Sequence, residues 1–158
     1  MNAVVERNRY SLQVEVMPAV LRISGPYEQL GQSMLGVPFS FVESIASRRK
    51  RERGQSADGI ATFNLTISES EGDRVPAQIE ESSLFLSQNK DAIKDLQDLP
   101  GVENLCVDFS WDFPSTSIGQ YNRFPCSFAK LCGLLGIDIE VSVYATSQCG
   151  GPDDPKRE

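Results

Sequence analysis

Four carboxylates fall at alternating positions of two short stretches. Asp108 and Asp112 lie in Cys106-Val107-Asp108-Phe109-Ser110-Trp111-Asp112, and Asp138 and Glu140 in Ile137-Asp138-Ile139-Glu140-Val141-Ser142-Val143-Tyr144. Extended backbone sends successive side chains to opposite sides, so Asp108, Ser110, Asp112, Glu140, Ser142 and Tyr144 would share one polar face. If the two strands are neighbours, Asp108 or Asp112 approaches Glu140, and such a pair can bind a hard cation or hold an acid of raised pKa. Within one strand Asp108 and Asp112 stand about 13 Å apart at about 3.3 Å per residue, too far to act as a pair. Asp138 can equally belong to the turn before its strand. The favoured alternative is a solvated sheet face without chemistry.

Other catalytic equipment is sparse. The chain contains no histidine, which removes Ser-His and Cys-His nucleophiles, histidine metal sites and the commonest general base. No G-x-x-x-x-G-K-[ST] or G-x-G-x-x-G segment occurs, so phosphate-cradling loops have no support. No cofactor and no metal ligand set is implied. Cys106, Cys126, Cys132 and Cys149 form no C-x-x-C pair and are too few for a disulfide framework. They read as reduced thiols, with Cys126 and Cys132 on different sides of one helix and buried or half-buried in structural roles. Arg48, Arg49, Lys50, Arg51 and Arg53 form a basic run. It reads as a solvated helix end, ahead of a patch for nucleic acid, phosphate or an acidic protein. Asn64-Leu65-Thr66 matches a glycosylation sequon, read as a chance match inside a strand.

The chain has 158 residues, 40% hydrophobic and 23% charged, with a formal net charge of −7. One domain over residues 1–147 is expected, with a disordered Gly/Pro/Asp-rich tail over 148–158. The acidic balance opposes nucleic acid and fits solubility or a basic partner. The first residues lack an apolar signal core, and no run of about 18 apolar residues occurs, so a cytoplasmic protein without a membrane partner is expected.

The elements that must position the polar face follow from periodicity. A first strand is expected over residues 10–24, its facing reset by a bulge at Pro18, or else as two short strands. Gly25-Pro26 opens a short helix with Tyr27, Leu30 and Met34 inward and Gly36 as its stop. Ser40-Phe41-Val42-Glu43 has the capping-box pattern, placing Val42, Ile45 and Ala46 on the inner stripe of a basic-ended helix. A strand follows over 60–68. Ile79, Ser83, Leu86, Ile93 and Leu96 then keep helical spacing over 76–99, in one bent helix or in two with Asn89 capping the restart. Strands over 102–113 and 137–145 flank a loop over 114–123 and a helix with Phe128, Leu131 and Leu135 inward, ended by Gly136. Trp111 and Phe113 belong to the core side of their strand. Strands with one polar face argue against a sheet covered on both sides. The expected fold is α+β: a two-layer sandwich, with a mainly antiparallel sheet of about four strands, helices on one face and an open polar face.

Several stretches also occur together in one order: Leu21-Arg22-Ile23, Leu35-Gly36-Val37-Pro38, Phe85-Leu86, Asp91-Ala92-Ile93-Lys94-Asp95-Leu96, Pro100-Gly101-Val102, Phe124-Pro125, and Leu134-Leu135-Gly136-Ile137 running on to Tyr144. In this the chain resembles the bacterial "domain of unknown function 4279" family. It carries Phe63 where that family tends to have Trp, and a longer basic segment over 40–53. The resemblance implies a small bacterial α+β protein and brings no functional residues with it. The leading expectation is therefore a non-enzymatic module that binds another protein, a basic one being the partner its acidic charge would favour, with an immunity or inhibitor role as its concrete version. A carboxylate-dependent enzyme or metal-binding domain on the same face, and a homo-oligomer built through that face or an edge strand, are the alternatives.

Overall fold

A computed structural model describes residues 18–44, 48, 52, 59–114 and 118–146. Five strands, β1 (Val20–Pro26), β2 (Val42–Glu43), β3 (Ile60–Thr66), β4 (Asn104–Pro114) and β5 (Asp138–Thr146), form one sheet in the order β2-β3-β1-β4-β5. All neighbours are antiparallel except β4 and β5, which run parallel. The parallel pair follows from its connection: helix α4 (Cys126–Leu134) lies between the two strands, and a crossover of this kind returns the chain in the same direction.

The helices α1 (Tyr27–Ser33), α2 (Val75–Gln88), α3 (Lys90–Gln97) and α4 share a single core with one side of the sheet. Leu21, Ile23, Leu105, Val107 and Phe109 meet Leu30, Ile79, Leu86, Ile93, Leu96, Phe128 and Cys132 there. Trp111 stacks on Phe124 at 5.7 Å between ring centroids, and Phe124 lies 5.9 Å from Phe128. The alternating strands thus place their apolar residues under helices and leave the other face open, as the two-layer expectation required.

Two local joints follow from backbone chemistry. After α4 the Ile137 N–H donates to the Cys132 carbonyl and the Gly136 N–H to the Gly133 carbonyl, with Gly136 at φ +60°. This is a Schellman ending, which only a residue at ease in the left-handed region supports. Gly25 lies against the turn after α3, where an added Cβ would stand 1.8 Å from the Gly101 carbonyl oxygen.

Several expectations need correction. The capping-box segment at Ser40 does not start a helix: Val42 and Glu43 pair with Asn64 and Phe63 of β3, and Val42 is exposed rather than inward. Cross-strand hydrogen bonding outweighed the local cap pattern there. Arg48 and Glu52 are helical and exposed, whereas Ile45, Ala46, Arg49, Lys50, Arg51 and Arg53 lie outside the described residues. The strand expected from residue 10 is described from Val20 onward and continues to Pro26; residues 10–17 and the tail over 148–158 lie outside the description. The helical stretch divides at Asn89, but the Asn89 side chain donates backward to the Phe85 carbonyl at 2.8 Å instead of capping α3. Ser82, not Ser83, is buried on the inner face of α2. Among the described residues, no helix is long and apolar enough to cross a membrane.

Candidate functional site

The open face is assembled by the register of β4 and β5. Asp108 lies opposite Glu140, Ser110 opposite Ser142, and Asp112 opposite Tyr144. All six residues expected on the polar face therefore share it. On the other flank of β4, Val20 lies opposite Asp108 and Arg22 opposite Cys106, and Arg22 in turn lies opposite Asn64 of β3.

Arg22 is the centre of this face. Its guanidinium donates from Nη2 to Asp108 Oδ2, from Nη1 to Glu140 Oε2 at 3.0 Å and from Nε to Asn64 Oδ1 at 3.2 Å. Ser142 Oγ shares its proton between the two oxygens of Asp108, at 2.9 and 3.0 Å. Asp108 is only 1% exposed, a depth at which a carboxylate persists only when paired and hydrogen-bonded. The network supplies both, using residues from β1, β3, β4 and β5. Beneath it lies Cys106, whose thiol is pushed up to about 12, chiefly by burial and then by the Glu140 carboxylate beside it. A thiol so held is no nucleophile.

The carboxylates expected to cooperate in chemistry are thus brought together with a cation between them. The guanidinium occupies the position a hard metal ion would take, and among the described residues no group of three or more Cys, Asp or Glu side chains is arranged to hold a metal. Asp112 stands apart: its N–H donates to the Gly72 carbonyl at 3.2 Å, and its carboxyl packs against Gly72.

The face is also hollow. Tyr144 on one side, and Ser40, Val42, Glu43, Ser44, Asn64, Leu65 and Thr66 on the other, line a depression of about 600 Å³. Tyr144, 40% exposed, forms part of its wall, but Asp108 and Glu140 do not. The strands carry Asp108, Asp112, Asp138 and Glu140 on this face against the single cation Arg22, an excess of three negative charges.

Two participants escaped sequence reasoning. Arg22 was visible as the one basic residue at a polar position of any described strand, and a buried central-strand aspartate demands such a partner. Glu81 gave no comparable signal. On α2, it accepts from Ser68 Oγ at 2.6 Å, Ser70 Oγ at 2.7 Å, the Glu69 N–H at 2.9 Å and the Ser70 N–H at 3.2 Å. These bonds, led by the Ser68 and Ser70 hydroxyls, hold its carboxyl down at about 2. Cys126 is exposed, against the expectation of burial, because it opens α4 at its solvent end; Cys132 is buried in the core. No family model, curated protein or solved structure matches the chain.

Proposed function

We propose that this chain is a non-enzymatic protein-interaction module whose open sheet face receives a basic segment of another protein. An immunity or inhibitor role is the concrete form, and kinship with the bacterial domain of unknown function 4279 family belongs to the same proposal. The observation that carries it is a division on the open face. The carboxylates best placed for chemistry are engaged by Arg22 and Ser142, while the hollow beside them presents Tyr144, Val42 and Asn64 without that carboxylate pair. Acid–base or metal chemistry needs free lone pairs at a substrate-sized space; a contact surface needs accessible aromatic and apolar groups with a charge bias, which this face has. Free thiols at Cys106, Cys126 and Cys132 fit a reducing, cytoplasmic setting.

A photo-crosslinking residue at Val42, inside the hollow, should capture one basic protein in the native cell. The same residue at Leu84, exposed on the helix layer, should not. Capture should weaken with added salt and be lost in Tyr144→Ser. Divalent-cation-dependent thermal shifts that disappear in Asp108→Asn or Glu140→Gln would instead overturn the non-enzymatic reading.

A further inference from the structure

The two edges of the sheet are finished differently. At one edge stands β2, only two residues long, and short edge strands are a common defence against unwanted pairing. At the other stands β5, nine residues long, or roughly 30 Å of backbone at about 3.3 Å per residue. Its inner side pairs with β4 from Asp138 to Thr146, and among the described residues no strand pairs with its outer side. The edge is lightly guarded: β5 contains no Lys, Arg or Pro, its two charges, Asp138 and Glu140, lie in its first three residues on the open face, and on its helix-facing side it carries Ile139, Val141 and Val143 without a charge. That side is covered only at its start. Ile137 is buried and Ile139 packs against the core, whereas Val141 is 38% and Val143 58% exposed.

We infer that the outer edge of β5 pairs antiparallel with β5 of a second copy of this chain, joining two five-stranded sheets into one of ten strands. The residue pattern is self-complementary in one register. A two-fold axis through Ser142 opposes all nine residues: Asp138 faces Thr146, Glu140 faces Tyr144 and Val141 faces Val143. Every carboxylate then meets an uncharged residue, and the exposed valines cover one another. Parallel pairing in register would oppose Asp138 to Asp138 and Glu140 to Glu140, which is repulsive. Shifting the antiparallel register shortens the ladder, and centring it on residue 140 brings Glu140 onto its own copy. The open faces lie on the same side of the joined sheet, and the hollow, whose other lining residues belong to β2, β3 and the segments beside them, touches the new seam only at Tyr144; the pairing does not rest on the proposed partner.

Sedimentation equilibrium and amide exchange on the full chain test this. The expected mass is twice that of the chain, with the alternate amides of residues 138–146 that point away from β4 protected at high concentration and exposed on dilution. Val141→Glu and Val143→Lys should each weaken dimerisation at least roughly tenfold, because symmetry makes each substitution act twice. The double variant should restore it, since this register opposes 141 to 143. Both side chains are exposed in the single chain, and circular dichroism confirms that the variants fold. A monomer at all concentrations overturns the inference, as does edge protection that persists in the monomer, which would mean that the chain covers its own edge. A dimer indifferent to the single substitutions, or one not restored in the double variant, overturns it equally.

Discussion

Asp108 and Glu81 are two carboxylates satisfied in opposite ways. Asp108 is buried in the central strand and is held by a counter-charge, Arg22, from a neighbouring strand 86 residues away. Glu81 lies at the boundary between α2 and the segment after β3, and is held by hydroxyls and amides 11 to 13 residues away with no cation involved. The first arrangement joins four strands and fixes which residues meet across the open face. The second fastens one loop to one helix. Burial makes the first depend on its partner's charge, whereas access to solvent makes the second depend on its own. Removing a partner should therefore hurt Asp108 most, and adding a proton should be felt at Glu81.

The largest break in this comparison comes from Arg22→Met. It leaves Asp108 as an uncompensated buried charge, a situation that costs about 3–5 kcal/mol. For a chain of this size that corresponds to a fall of roughly 10 °C in Tm. The double variant Arg22→Met/Asp108→Leu removes both charges and should recover most of the loss, since an apolar pair of similar volume is often as stable as a buried ion pair. Calorimetry of the two variants checks both statements. If the single variant melts with the wild type, the network is not holding the strands together.

A smaller effect is expected at Glu81. Its carboxyl titrates at about 2 in the folded chain against 4.5 as the ordinary value. A depressed acid contributes stability that is complete above pH 4.5 and is lost as pH falls towards 2. Glu81→Gln should cost only about 1 kcal/mol near neutrality, because solvent screens part of the interaction. It should also flatten the fall of stability between those two pH values, as read by denaturant titration across that range. An unchanged slope would mean that the Ser68–Ser70 segment is held by other bonds, for example by Gln78 Nε2, which donates to the Ser70 carbonyl at 3.0 Å.

The same contrast explains what could be read before any coordinates. Alternation in β4 and β5 was enough to place Asp108, Ser110, Asp112, Glu140, Ser142 and Tyr144 on one face, because side-chain facing in a strand is local geometry. Strand order is not local. That Arg22 falls between Asp108 and Glu140 depends on β1 lying beside β4, a pairing between segments about eighty residues apart. The Ser40 segment misled for the reverse reason: its capping pattern was a true local preference, overridden by hydrogen bonds from β3. Glu81 was illegible because a carboxylate on a helix looks the same whether its oxygens meet water or the amides of a distant turn.

The finest test uses thiols as reporters of each layer. Cys106 lies under the Arg22 network with its thiol pushed up to about 12, and Cys132 lies in the helix core with its thiol pushed up to about 11, in both cases chiefly by burial. Cys126 is exposed. In the native chain, alkylation followed by peptide mass mapping should label Cys126 quickly and leave Cys106 and Cys132 unlabelled, since the thiolate is the reactive form. Arg22→Met, studied below its melting transition, should open Cys106 to labelling while Cys132 stays protected. Glu81→Gln should open neither, because the bonds it removes reach only residues 68–70. Equal labelling of Cys106 and Cys132 in Arg22→Met would show instead that the two layers open together, and that the charge at the centre of the sheet holds the helix layer as well.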